Sequence, residues 1–301
     1  MGPEMKNMYE QNVWKGCYRF GWQNHLVPEA FSHPAKVSFT LAGKIYDHAI
    51  KMGWIKKGDT VLDPFGGICG FGFHALVNGI NWVGVELEEK FVKLGQQNID
   101  LWNRKFRDWP NLGTARIIRG DSRRIKEREG EFSMICSSPP FEKSLTTKAE
   151  GTYGLTEKGI LPNGTKRGGS IITGDYGNSK GQLGNTSNDT FWEASKEIVQ
   201  GCHELLKPSG MAIFVCKDYI KTGKRVPFSQ RWASLCESVG FKIVCWHHAM
   251  LVENYGFRLT LDGQEEEIQT SRKSFFRRLA EKNGSPRIDH EDVICMRKAI
   301  S

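Results

Sequence analysis

TVLDPFGGICGFGFHALVNGINWVGVE, residues 60–86, decides the fold. It opens on a short apolar run, Thr60–Leu62, and reaches an acid at Asp63. It then turns through Pro64, Phe65, Gly66 and Gly67. Phe71 to Val77 reads as a helix stopped by Gly79. A second apolar run, INWVGVEL (80–87), carries Glu86 at the end of its WVGVE stretch. Strand, glycine turn, helix and strand make the repeating unit of a parallel sheet, because parallel neighbours need a crossover between them. Glycines at such a turn let a ligand approach the backbone, and the next helix offers unpaired N–H groups. An ordinary tight turn carries the same signature.

The rhythm continues outward on both sides. Residues 41–54 read as a helix with Leu41, Ile45, His48/Ala49 and Met52 on one face. Residues 88–106 read as another helix, and ARIIRGD (115–121) as a third strand. Phe132–Cys136 is a fourth strand. TFWEASKEIVQGCHELLKPSG (190–210) reads as a helix ended by Pro-Ser-Gly. MAIFVCKDY (211–219) is a fifth strand, SQRWASLCESVG (229–240) a helix, FKIVCWHHAML (241–251) a sixth strand and EDVICMRKA (291–299) a seventh. The pattern predicts a doubly wound α/β sheet that binds its ligand at the carboxyl ends of the strands.

Two stretches break the rhythm. Residues 142–190 are polar, with ten glycines in 151–190. Residues 251–290 carry the acidic run Glu265–Glu267 and then RKSFFRR, Arg272–Arg278. We read the chain as a single catalytic domain over 1–301, with a core of 31–141, 191–250 and 291–299. The other two stretches are insertions, the second a candidate for nucleic-acid recognition. The glycine content predicts mobility for 142–190 in the absence of a partner.

The 301 residues are 39% hydrophobic and 25% charged, which suits a globular chain with a sizeable core and excludes extended disorder. No apolar run reaches the length of a membrane span, and residues 1–16 show no signal pattern, so a cytoplasmic location is expected. The net charge of +8 is compatible with an anionic partner. The eight cysteines form no C-x-x-C pair, which removes zinc-finger spacing. Most sit in apolar runs and read as reduced thiols in a core, as a reducing compartment allows. His247-His248 reads as a structural pair, and no metal is expected.

Polar residues end successive strands. Glu86 follows Asp63 by 23 positions and can accept both hydroxyls of a ribose. Asp121 ends the third strand, where it could meet an adenine. Either could also be a helix N-cap. The fourth strand ends in Ser137-Ser138-Pro139-Pro140-Phe141. Two prolines fix the backbone, a hydroxyl and a carbonyl together can accept both hydrogens of an amine, and an aromatic ring can stack on a base.

DPFGG, then GVE, then SSPPF resembles the amino-methylating DNA methyltransferases that use S-adenosylmethionine, and most of all the DNA methylases of phage and prophage. Phe31–Lys36 is similar to the family motif before the first strand, with His33 and Lys36 near the methionine part of the cofactor. His290–Ile294 is similar to its closing strand. The resemblance covers most of 31–141 and 191–299. It implies the class I methyltransferase fold, a Rossmann-like seven-stranded sheet with its last strand antiparallel. It implies S-adenosyl-L-methionine held by His33, Lys36, Asp63, Pro64, Phe65, Gly66, Gly67, Glu86 and Asp121. Ser138, Pro139, Pro140 and Phe141 form the catalytic loop.

The implied partner is double-stranded DNA with one base flipped, with room for a cognate restriction nuclease. Serine before Pro-Pro favours cytosine N4 over adenine N6 within this family. One departure stands out: the second glycine of the family's loop is Cys69 here. Three rivals remain. RNA could replace DNA as substrate. A DNA-binding relic with a spoiled loop at Cys69 would have no activity. A nicotinamide dehydrogenase would explain Gly67, Gly70 and Gly72 but gives no reason for Ser-Pro-Pro-Phe.

The basic residues between Arg104 and Arg128 read either as phosphate contacts or as a solvated surface. RKSFFRR reads as a phosphate grip or an amphipathic helix.

Overall fold

The computed structural model describes residues 12–33, 36–128, 130–142, 179, 181–186, 188–221, 223–260, 262, 264–271, 281–282 and 284–299. Most of the 142–190 insertion and all of RKSFFRR lie outside the described residues.

The expected seven strands are present: β2 (Thr60–Asp63), β3 (Asn81–Glu86), β4 (Ala115–Arg119), β5 (Phe132–Ser137), β6 (Leu206–Cys216), β9 (Phe241–Met250) and β12 (His290–Lys298). They stand in one sheet of order β1-β9-β12-β6-β5-β2-β3-β4. The sheet therefore has eight strands, not seven. The eighth is β1 (Val13–Trp14), two residues pairing in parallel with β9 at His248 and Ala249. β12 is antiparallel to both β6 and β9, as the resemblance implied for the last strand.

Helices cover both faces of the sheet. α1 (Phe39–Lys51), α2 (Gly72–Val77) and α3 (Glu89–Lys105) bury Leu41, Ile45, Phe73, Ile99 and Trp102 with Trp82 on one side. α4 (Asn188–Leu205) and α5 (Phe228–Val239) bury Phe191, Ile198, Phe228 and Trp232 with Val83 and Phe214 on the other. β3 shows the alternation that divides the two cores: Trp82 faces one, Val83 and Val85 the other.

Local differences have local causes. Lys207–Gly210 belongs to β6 rather than to a helix end. These four residues bulge against Ser133, since Phe132 pairs with Leu206 and Met134 with Met211, and Ser209 takes φ +60°. β7 (Tyr219–Lys221) and β8 (Lys224–Val226) form a short antiparallel pair. β10 (Val252–Leu259) and β11 (Glu265–Ser271) form an antiparallel hairpin within the 251–290 insertion. No helix among the described residues is long and apolar enough to cross a membrane.

Candidate active site

β3 and β4 extend the sheet on one side of β2, and β5 pairs with β2 on the other. This is the topological switch point, and the strand ends there leave a crevice. Asp63 and Ser137 end the two adjacent strands, and the buried Ser137 hydroxyl donates to Asp63 Oδ1. The crevice holds a cavity of about 350 Å³, within the range of about 300–1,000 Å³ typical of small-molecule sites. All the residues assigned to the site from sequence line it: His33, Lys36, Asp63 to Gly67, Glu86, Asp121 and Ser138 to Phe141.

The glycine turn is tied down at several points. Gly66 N–H donates to Val85 O at 2.9 Å, and Gly67 N–H to Glu86 Oε2 at 2.9 Å. Gly67 has φ +51°, and a Cβ there would come within 3.3 Å of His33 Nε2. A side chain would therefore crowd the gap between turn and His33. Asn98, fully buried on α3, donates to Ile68 O at 3.0 Å and accepts from Val27 N–H at 2.8 Å. One amide thus joins the turn to the segment that carries His33.

The acids sit in different fields. Asp63 is buried, and its pKa rises to about 7. Burial is the main cause; Ser137 and Phe65 N–H pull it down, and Glu86 pushes it up. Glu86 is also raised by burial, against the N–H groups of Glu88 and Gly67. Asp121 is lowered, chiefly by hydrogen bonding with Arg123. It caps the short 3-10 turn Ser122–Arg124 and receives the Arg123 guanidinium, while still lining the cavity. Lys36 donates to the carbonyls of Phe31 and His33, and burial lowers its pKa.

The Ser-Pro-Pro-Phe loop leaves β5 beside β6. Ser138 is exposed, and its Oγ donates to Val215 O at 3.0 Å. With its hydrogen engaged there, the oxygen keeps acceptor capacity. Pro139 is buried, and Phe141 is half-buried against Phe228 and Tyr219, at 5.6 and 5.9 Å between ring centroids. The next residue, Glu142, accepts from Trp192 Nε1 and Arg231 on the two helices behind.

No family model matches the chain. It is similar to a protein of Methanocaldococcus jannaschii named as a ribosomal RNA large subunit methyltransferase, 31% identical over 116 residues, 35% of this chain and 28% of that one. It is 29% identical to the DNA adenine methyltransferase YhdJ of Escherichia coli over 90 residues, 30% of this chain and 28% of that one. It is 26% identical to tRNA (guanine(10)-N2)-dimethyltransferase of Methanothermobacter thermautotrophicus over 120 residues, 40% of this chain and 32% of that one. The chain thus spans about a third or less of the length of these curated relatives. A solved S-adenosylmethionine-dependent methyltransferase of Methanosarcina mazei superposes with a TM-score of 0.46 at 11% identity, over 84% of this chain and 98% of that one.

The structure adds residues that the motifs did not single out. Glu88 is buried and accepts from Ser179 N–H, Ser179 Oγ and Gln182 Nε2, at 3.0, 2.9 and 3.1 Å. It thereby holds Gly181, Gln182 and Leu183 against the cavity. Lys217 and Glu291, 3.7 Å apart, line another side, and Tyr18 OH donates to Glu291 at 2.7 Å. Among the basic residues of 104–128, Arg107, Arg116, Arg119 and Arg123 pair with Asp108, Glu127, Glu89 and Asp121. These four belong to local ion pairs before any phosphate is considered.

Proposed function

We propose that this chain transfers a methyl group from S-adenosylmethionine to an exocyclic amino group of a nucleic-acid base. The observation that carries the reading is the meeting, in one cavity, of a glycine turn, three strand-end acids and the Ser138–Phe141 loop.

The residues present fit the cofactor. Glu86 lies where an acid can accept ribose hydroxyls, at the end of the strand after the glycine turn. Asp63 is a buried carboxyl held near neutrality, and a cationic ligand would restore its charge. Gly67 and His33 frame a gap that a Cβ would narrow. When bound, the cofactor supplies an already activated methyl on its sulfonium. This chain's own residues then orient the amine. In this reading Ser138 Oγ, whose hydrogen is engaged by Val215 O, accepts one amine N–H and the Pro139 carbonyl accepts the other. Such bonds favour a more tetrahedral nitrogen. Phe141, backed by Phe228, offers a stacking face to the base. Alignment then does most of the work.

The sharper reading is a double-stranded DNA substrate with its base flipped, and cytosine N4 as the target, because serine rather than aspartate precedes the prolines. In it the 251–290 insertion, the 142–190 insertion, or both set the choice of sequence; most of 142–190 lies outside the described residues. RNA is the second reading, favoured by the similarity to proteins named for ribosomal and transfer RNA. Incubation with methyl-labelled cofactor and either DNA or RNA, followed by nucleoside mass spectrometry, separates them. N4-methylcytosine in DNA is expected. N6-methyladenine changes the base, label in RNA changes the substrate, and label in neither rejects the function.

A further inference from the structure

We propose that His48, Cys245, His247 and Cys295 form a Zn²⁺ site of the closed, structural kind, separate from the methyl-transfer cavity.

The four ligand atoms, two Sγ and two imidazole nitrogens, all lie within 4.8 Å of one another. His247 Nε2 is 3.2 Å from Cys245 Sγ, and His48 Nε2 is 3.7 Å from the same sulfur. A tetrahedral ion with Zn–S of about 2.3 Å and Zn–N of about 2.0 Å needs ligand–ligand edges of about 3.3–3.8 Å. The contacts of Cys245 Sγ with the two imidazoles, 3.2 and 3.7 Å, are within about 0.1 Å of that range.

Backbone geometry explains why four residues so far apart converge. Cys245 and His247 are two apart on β9 and therefore share a face. Cys295 on β12 is the direct cross-strand partner of Cys245, so its side chain stands on that face as well. α1 packs over this face and brings His48 down to it. His248, the next residue along, faces the other side and binds Asp292 at 2.9 Å. The alternation thus divides the His247-His248 pair between two environments, and only His247 joins the sulfurs.

The surroundings suit a closed site. Trp14 stacks on His247 at 4.3 Å and meets His48 edge-on at 5.4 Å, while Trp54 meets His48 at 5.0 Å. Cys295 and His247 are buried, and His48 and Cys245 are half-buried. His247 Nδ1 is buried with no hydrogen bond among the described residues, so the ring is oriented through Nε2 and its stack on Trp14. Two thiolates cancel the charge of a divalent ion, and a borderline-soft S₂N₂ set selects zinc over magnesium or calcium. No open position remains for water or substrate, which assigns the ion to structure. It would pin β1, α1 and the β9–β12 edge together.

The test uses the full chain, purified without chelators. Elemental analysis should find about one zinc per chain, with X-ray absorption showing two sulfur and two nitrogen neighbours near 2.3 and 2.0 Å. Replacing the ion with Co²⁺ should give the intense visible absorption of a tetrahedral thiolate site. His48→Gln should lower zinc retention at least tenfold while far-UV circular dichroism stays native. The Co²⁺ spectrum of the unaltered protein decides the matter even if that variant fails to fold. The proposal falls if the unaltered protein lacks zinc and gives no Co²⁺ thiolate band. It falls equally if intact mass shows a Cys245–Cys295 disulfide, or if iron or copper fills the site instead.

Discussion

Cys69 and Gly95 are fitted to each other: a Cβ on Gly95 would stand 2.8 Å from the Cys69 Sγ. Cys69 takes φ +71°, the left-handed conformation of a glycine position, yet carries a side chain. That side chain is buried toward α3, where Gly95 leaves room for it. Ile68 and Gly70 line the cavity, and Cys69 does not. The Cys69 side chain is thus accommodated on the α3 side, and the residues on either side of it line the cavity.

Gly95→Ala should accordingly destabilise the chain, since its Cβ would also come within 2.7 Å of Ile117 Cδ1. Overpacking of this kind costs about 1–3 kcal/mol. In a Cys69→Gly background the same substitution should cost less, with a coupling of about 1 kcal/mol or more. Denaturant unfolding of the four proteins measures it, and strictly additive effects would show that the two residues do not share the space.

Glu86 has a second duty that the motif alone did not reveal. Its two oxygens accept Gly67 N–H and Glu88 N–H, at 2.9 and 2.8 Å. Glu86→Ala should lower both the thermal midpoint and the cofactor affinity, because each orphaned buried donor costs about 1–3 kcal/mol. Glu86→Gln keeps one acceptor and should fall between. Calorimetry and thermal unfolding read both, and loss of affinity with an unchanged midpoint would leave only the ligand-binding duty.

Asp63 makes stability depend on pH. Its folded pKa of about 7 lies above the reference value of 3.8. A carboxyl raised in this way favours folding fully below the unfolded pKa, and that contribution is lost as pH rises through the folded one. Over the window from about pH 4 to 7, stability should fall relative to Asp63→Asn, by an amount on the order of 4 kcal/mol. Binding of a cationic cofactor should reverse part of this and release a proton near pH 6. Denaturation midpoints of both proteins at several pH values, and calorimetry in two buffers, provide the test. Parallel profiles for the two proteins would remove Asp63 from the account.

The core strands and the site motifs were legible because their signals are local. β3 alternates between two cores, and its end is marked by Glu86. The Ser-Pro-Pro run follows a fully buried strand. β1 was not legible, since two residues carry no period and pair with a strand over two hundred positions away. Gly210 hid the bulge in β6 behind a turn signal. Glu88 looked like one more surface acid of a charged helix start, and only its bonds to Ser179 and Gln182 reveal its part. His48 and Cys245 are 197 residues apart, beyond any spacing rule for metal ligands.

Ser138 carries the strongest chemical expectation. Its hydroxyl donates to Val215 O, the oxygen keeps acceptor capacity, and Ser138 lines the cavity. Ser138→Ala removes that acceptor and leaves the prolines and Phe141 in place. If the amine contact strengthens as the nitrogen becomes tetrahedral, the loss appears in kcat rather than in cofactor affinity. A drop of about 1.5–3 kcal/mol, roughly 10- to 150-fold, is expected for a hydrogen bond to a group developing charge. Phe141→Ala should act differently. It removes a stacking face worth about 1–3 kcal/mol and should raise KM for the nucleic acid. Part of its cost will be packing, because Phe141 also contacts Phe228 and Tyr219, and Phe141→Tyr, which keeps the ring, should restore KM. Single-turnover assays with labelled cofactor separate the two effects. Full turnover by Ser138→Ala would remove this loop from the chemistry, whatever base proves to be the substrate.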